Sequence, residues 1–328
     1  MVYDLWNYRK YHPITSSTTL TGYQVMLKIY YGSGTDSGNT VYLDSKCNTD
    51  FSDIRFTNAT GTTLPYWIEA KTDSSYADVW VKVDSITTTS GFYLFYGNAA
   101  ATSESSGTNT FIFFDDFLGS SLDTNLWNAT LVRTGSSTGT VSVSGGALTI
   151  NQGADVDGGI SLFTNNALAS NQVAIRVKVN SRATGDTTFA QLRFAIGTNT
   201  SATTYGIYFD SNPSKICLLN GSGVGDPYIS ESFVSSTAGI YDGQLNVVNP
   251  QLYKNNSLAC SGTGDPTDPV GNYLLISVLR KNTVGVIDYI IVRNTVTSTA
   301  EPTHGTWIVG EQMFGAGVGI GSPMMIGA

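Results

Sequence analysis

Val79-Trp80-Val81-Lys82-Val83 places three valines on one side of an extended chain and a tryptophan and a lysine on the other. That period-two alternation belongs to a strand with one buried face. Upstream lie Asp44-Ser45, Ile54-Arg55-Phe56 and Leu64-Pro65-Tyr66-Trp67-Ile68-Glu69, and Tyr96-Gly97-Asn98 closes the stretch. Nothing in it has the 3.6-residue period of a helix, so the segment reads as sheet.

Working outward, Tyr23, Val25, Leu27 and Ile29 alternate with Gln24 and Lys28, an earlier strand of the same domain. The domain is expected to fill residues 1–100. The Ser- and Thr-rich run from Ala101 to Thr110 then reads as a linker. Alternation resumes at Phe111-Ile112-Phe113-Phe114-Asp115-Asp116-Phe117 and recurs in Val141-Ser142-Val143, Leu148-Thr149-Ile150 and Val173 to Val179. Gly145-Gly146 supplies the turn of a hairpin between the first two. Further short strands are expected at 192–196, 205–209, 216–219, 273–278 and 286–292. Many short strands with Gly, Asn and Asp turns predict an all-β chain of two tandem antiparallel β-sandwich, jelly-roll-like domains, the second over 111–311.

The first-domain residues, in order Asp-Ser, Ile-Arg-Phe, Tyr-Trp-Ile-Glu, Trp-Val-Lys-Val and Tyr-Gly-Asn, preceded by Trp6, Tyr8 and Arg9, resemble a family catalogued only as a domain of unknown function. The resemblance implies a surface protein of archaea, bacteria or viruses, often with a concanavalin-like sandwich behind it, and implies no chemistry. The second half is similar to concanavalin and laminin-G jelly rolls in its Phe-Asp-Asp-Phe opening, its Gly-Gly-Ala-Leu-Thr-Ile hairpin and its late Ile287-Asp288-Tyr289-Ile290-Ile291-Val292.

With 328 residues and 41% hydrophobic content the chain is long enough for two cores. Only 13% of residues are charged and the net charge is −8, without a Lys/Arg run. Nucleic acid and anionic lipid are therefore not expected partners. No apolar run approaches the roughly 20 residues of a membrane helix, so no membrane insertion is expected. Trp6-Asn7-Tyr8-Arg9-Lys10 already reads as the start of the domain, so the expectation is either that a secretory signal was removed and a Met supplied or that the secretory route is not used. The expected location is a virion surface, with an extracellular or cell surface as the alternative.

Cys47, Cys217 and Cys260 have no metal-type spacing, and a Cys217–Cys260 bridge stands beside three thiols as the two readings. Asp115, Asp116 and Asp288 are the candidate metal ligands. In jelly rolls of the type this half resembles, an Asp of the closing strand often holds a structural calcium ion; the plainer reading is turn capping. Arg55, Glu69, Trp67 and Trp80 form the candidate ligand site, where flat indole rings would stack on a sugar. A structural ion pair and core tryptophans are the plainer reading. Retaining glycoside hydrolysis needs two close carboxyl groups, and no Glu-x-Asp-x-x-Glu strand is present. The two histidines are far apart in sequence. No catalytic residue is named, and the chain is read as no enzyme but as a virion attachment or decoration protein with glycan binding. A cell-surface adhesin or filament subunit, and a carbohydrate-active enzyme with an unfamiliar site, are the alternatives. The uncharged tail from Met313 to Ala328 offers Phe314, Val318, Ile320, Met324, Met325 and Ile326 for assembly into a homo-oligomer or larger particle.

Overall fold

The computed structural model describes residues 3–155, 157–169, 173–183, 191–197, 204–209, 215–219, 228–233, 238–245, 247–262, 272–296 and 301–309. The candidate assembly residues from Phe314 to Ile326 lie outside them. The chain divides into two compact units, one of residues 1–110 together with 302 onward and one of Phe111–Glu301.

The first unit opens with β1 (Tyr8–Thr15), β2 (Leu20–Tyr30), β3 (Thr40–Tyr42), β4 (Arg55–Asn58), β5 (Tyr66–Thr72), β6 (Tyr76–Ile86) and β7 (Ser90–Tyr96), then one short helix, α1 (Gly107–Thr110). The second contains β8 (Phe113–Asp115), β9 (Val132–Thr134), β10 (Thr140–Ser144), β11 (Ala147–Asn151), β12 (Gly159–Phe163), β13 (Val173–Ala183), β14 (Gln191–Gly197) and β15 (Thr204–Phe209). It continues with β16 (Lys215–Leu219), β17 (Tyr228–Phe233), β18 (Gly239–Leu245), β19 (Gln251–Lys254), β20 (Ser257–Ser261), β21 (Tyr273–Leu279) and β22 (Val284–Asn294). The chain then returns to the first unit with β23 (Thr303–His304) and β24 (Ile308–Val309).

In the first unit one sheet runs β3-β2-β6-β5 and the other β23-β1-β7-β4, with β24 also on β1. Val79, Val81 and Val83 of β6 and Tyr23, Val25, Leu27 and Ile29 of β2 are all buried, as their alternation requires. The run read as a linker is tied down instead. Ile68 N donates to Ser105 Oγ, Ser106 N to Tyr66 O and Arg55 Nη2 to Thr102 O. Hydroxyl-rich composition looks like a spacer, yet here those groups satisfy the edge of β5.

The second correction concerns residues 302–309, assigned by sequence to the jelly roll. They extend the first unit's sheet through Ile14↔His304 and Tyr11↔Ile308 register pairs. Trp307 donates to Gly38 O and stacks 4.1 Å from His12, which is fully buried. His12 Nε2 lies 2.8 Å from His304 Nδ1, and His12 Nδ1 has no partner. An unpaired acceptor there is tolerated better than an unpaired donor, so the proton sits on His12 Nε2.

Burial, and then His304, push His12 from 6.5 down to about 3, and burial lowers His304 as well. In both, the folded pKa lies below the unfolded one, so acid protonates the unfolded chain first. Stability is intact above about pH 6.5 and is lost as pH falls from there toward 3, by up to about 1.4 kcal/mol per pH unit for each group. Thermal unfolding of the full chain from pH 7.5 to 4 is expected to show that fall. A His12→Phe variant, packed among Phe92 and Trp307, should flatten it; an equally steep fall would assign the loss to other groups.

The second unit is a sandwich of an eight-stranded sheet, β10-β11-β22-β13-β18-β19-β20 with β8 on β22, and a seven-stranded sheet, β17-β16-β15-β14-β21-β12-β9. Gly145 and Gly146 both take positive φ in the β10–β11 turn, as the hairpin reading requires. The two inner faces share one apolar cluster, including Val173, Ile175, Val177 and Val179 from one sheet and Leu192, Phe194 and Ile196 from the other. Trp127 is fully buried between Phe113 and Phe117. Among the described residues no helix is long and apolar enough to cross a membrane.

Candidate functional site

The motif region of the first unit is built on two buried charged side chains. Asp53 is fully buried, accepting from Asn48 N at 2.8 Å through one oxygen and from Gly97 N and Asn98 N, at 2.6 and 3.1 Å, through the other. Its carbonyl takes the Trp6 indole N–H. Gly97 has φ +89° and a Cβ there would meet Tyr8 at 2.5 Å, so the Tyr-Gly-Asn motif needs glycine at its centre. Asp53 was absent from the candidate residues because a lone Asp between Ser52 and Ile54 carries no periodic signal.

Arg55 is 2% exposed. Its Nη1 donates to Ser52 O and Ile54 O, and its guanidinium lies 5.3 Å from the Trp6 ring. Glu104 Oε2 sits 3.1 Å from its Nε but out of line for a hydrogen bond. Arg55 thus holds loops together. Trp67 and Trp80 face each other across β5 and β6, 9% and 5% exposed, and Glu69 Oε2 accepts from Trp80 Nε1 at 2.9 Å. Rings so covered present no flat face for a sugar, and the acid beside Arg55 is Glu104, whereas Glu69 accepts from Trp80.

These clamps frame a shallow bowl of about 750 Å³ lined by Cys47, Asn48, Thr49, Asp50, Ser52 and the 99–103 backbone. Burial, then Asp53, raise the Cys47 thiol to about 12, which keeps it protonated and unreactive. Hydrogen bonds from Ser52 lower Asp50. The lining contains no aromatic ring, so a saccharide would find hydrogen bonds there but no stacking surface.

The candidate metal ligands are not brought together. Asp115 accepts from Trp127 Nε1 at 2.6 Å and Phe117 N at 2.8 Å, and burial raises its carboxyl pKa. Asp288 is ion-paired with Lys178. Among the described residues no three His, Cys, Asp or Glu side chains converge to hold a metal. Asp115 and Asp288 lie on paired strands, but the carboxylate of Asp115 caps the Phe117 turn, the plainer alternative considered from sequence. The reading of a Cys217–Cys260 bridge falls on Cys217, whose side chain lies outside those described.

The outer face of the seven-stranded sheet was not singled out from sequence. Because Leu192, Phe194 and Ile196 point into the core, Gln191, Arg193 and Ala195 point away from it. Strand register puts Ser161, Ser277, Arg193 and Tyr208 in one row across β12, β21, β14 and β15. Ser277 and Ser161 hydroxyls are 2.7 Å apart, and the Arg193 guanidinium lies 4.6 Å from the Tyr208 ring centroid. The next row carries Phe163, Leu275, Ala195 and Gly206. A Cβ on Gly206 would lie 2.3 Å from Phe194 O, so the floor beside Ala195 must be flat. Tyr273 stands edge-on to Phe163, with ring centroids 6.4 Å apart. Ala195, Tyr208 and Ser277 are buried, whereas Ser161, Gln191, Arg193 and Tyr273 around them are half-exposed. The half-exposed hydroxyl, amide, guanidinium and phenol groups of Ser161, Gln191, Arg193 and Tyr273 are the chemistry of saccharide recognition.

A family described as a domain of unknown function, DUF2341, matches residues 50–130. No curated protein is matched. Solved structures of similar fold include the LamA catalytic domain of Zobellia galactanivorans, at 12% identity and TM-score 0.42, covering 58% of this chain and 100% of that one. A prokaryotic β-1,3-1,4-glucanase (lichenase) from a mouse hindgut metagenome aligns at 13% identity and TM-score 0.41, covering 56% and 99%. A Bacillus licheniformis β-glucanase aligns at 12% identity and TM-score 0.42, covering 56% and 98%. The reading of the chain as no enzyme is corrected by this set, because these neighbours are glycoside hydrolases. Absence of one Glu-x-Asp-x-x-Glu strand excludes a single arrangement; it does not exclude carboxylates brought together from separate strands.

Proposed function

We propose that the chain is a carbohydrate-recognition protein whose jelly-roll unit takes a saccharide on the outer face of its seven-stranded sheet. The observation that carries this reading is the set of half-exposed side chains that strand register gathers on that face, Ser161, Gln191, Arg193 and Tyr273. Polar side chains in register, held by their own hydrogen bonds, pre-organise a site and lower the ordering cost of binding. The names of the glucanase-type neighbours point to the same substrate class. Location at a virion or cell surface, and assembly with further copies through residues 313–328, are parts of this proposal supported by composition alone.

Glycan-array binding of the full chain, with product release followed in the same wells, is the test. Binding of the glycan is expected to weaken by about 2- to 12-fold on Tyr273→Ala, whose folding is checked by circular dichroism, for one stacked ring. Binding unchanged in that variant, or no glycan bound at all, would contradict the assignment. Release of shortened sugars would place hydrolysis on the same face.

A further inference from the structure

We propose that the saccharide recognised on this face carries a carboxylate, as a uronic-acid residue does, and that Arg193 is the group that takes it. The inference rests on the glycan reading above. Arg193 projects from β14 on the outer face and is half-exposed. Its Nε donates to Gln191 Oε1 at 2.7 Å, and its Nη2 donates to the same oxygen. Gln191 stands two positions earlier on the same strand face, so it fixes the plane of the guanidinium without neutralising it. Tyr208 supports the group from the next strand, 4.6 Å away. Among the described residues no carboxylate pairs with Arg193.

Two arginines of the opposite sheet behave differently. Arg176 and Arg293 both sit on Asp242, at 3.5 and 2.9 Å. On a half-buried sheet face, a cation that is oriented but left without a counter-charge is a stored interaction. Arg193 has the two requirements for a bidentate carboxylate partner: a planar fork already held in place, and donors not taken up by another acid.

The neighbouring groups set the size of that partner. Ser277 faces Arg193 directly across the strand pair, so its hydroxyl side chain begins about 5 Å from that of Arg193. That separation is close to the span between the carboxylate and the ring hydroxyls of one pyranose. A net charge of −8 repels dense polyanions, which favours one carboxylate per sugar over a heavily sulfated chain.

The test uses the full chain and three acidic probes, oligogalacturonate, oligoglucuronate and alginate oligosaccharides, each beside its carboxyl-reduced form, titrated calorimetrically. At least one acidic oligosaccharide is expected to bind more tightly than its reduced form by about 10- to 100-fold, the range for a hydrogen-bonded charge. Arg193→Gln should bring the ratio of acidic to reduced affinity close to one, and Arg193→Lys should restore only part of that ratio. Equal binding of acidic and reduced forms, or an Arg193→Gln variant that weakens both equally, would overturn the proposal. A neutral glycan bound on the array with every acidic probe inert would overturn it too, yet leave the glycan reading in place. No binding by any glycan would remove both.

Discussion

Asp242→Ala is expected to lower the unfolding free energy of the jelly-roll unit by about 3–5 kcal/mol. Asp242 is 4% exposed on β18, and Arg293 meets both of its oxygens, Nη2 at 2.9 Å and Nε at 3.3 Å. Arg176 Nη1 approaches one of them at 3.5 Å. Both arginines are themselves buried, at 2% and 6% exposure. The substitution therefore takes one carboxylate from two guanidinium groups that have little water to turn to. Glu301 is only 3.9 Å from Arg293 Nη1 but is 41% exposed and also accepts from Gln244, so it compensates poorly. Asp73→Ala serves as the control. Its pair with Lys71 spans 2.7 Å with side chains 62% and 37% exposed, and its loss should cost under about 1 kcal/mol. Urea unfolding of both variants measures the contrast, and equal small effects would mean that the Asp242 network contributes no more than a surface pair.

Asp53→Ala is expected to be as damaging in the first unit, by about 3–5 kcal/mol, because three backbone amides lose an ionised acceptor together. Asn48, Gly97 and Asn98 donate to it from two loops. The milder Asp53→Asn change gives a second readout. After burial, the Asp53 charge is the next cause of the raised Cys47 pKa, so removing it should lower that pKa and speed thiol alkylation. An alkylation rate equal to that of the native chain, with the fold intact, would show that Asp53 does not act on Cys47.

How far the sequence carried depends on the kind of signal each element leaves. Strands with one buried face, such as β2, β6 and β13, alternate visibly, and the Gly145-Gly146 turn names its own hairpin. The return of β23 and β24 was not legible. Two-residue strands have no period, and their attachment rests on His12, His304 and Trp307 meeting across 292 positions of chain. The Arg55 and Trp80 motif was visible, but its burial was not: a motif of aromatic and charged residues reads alike as a sugar platform and as an internal clamp. Asp53 stayed hidden because its role is to receive backbone amides, which any sequence supplies. The outer row of the seven-stranded sheet was missed for a related reason. Ser161, Arg193, Tyr208 and Ser277 are scattered in sequence, and only strand register joins them.

Whether that row is the binding surface is measured most directly by hydrogen–deuterium exchange of the full chain, with and without the glycan bound on the array. Strands β12, β14, β15 and β21 are expected to gain protection on binding, with the rest of the chain unchanged. Protection confined to the bowl between Cys47 and Ser103, or to the eight-stranded sheet, would contradict the assignment.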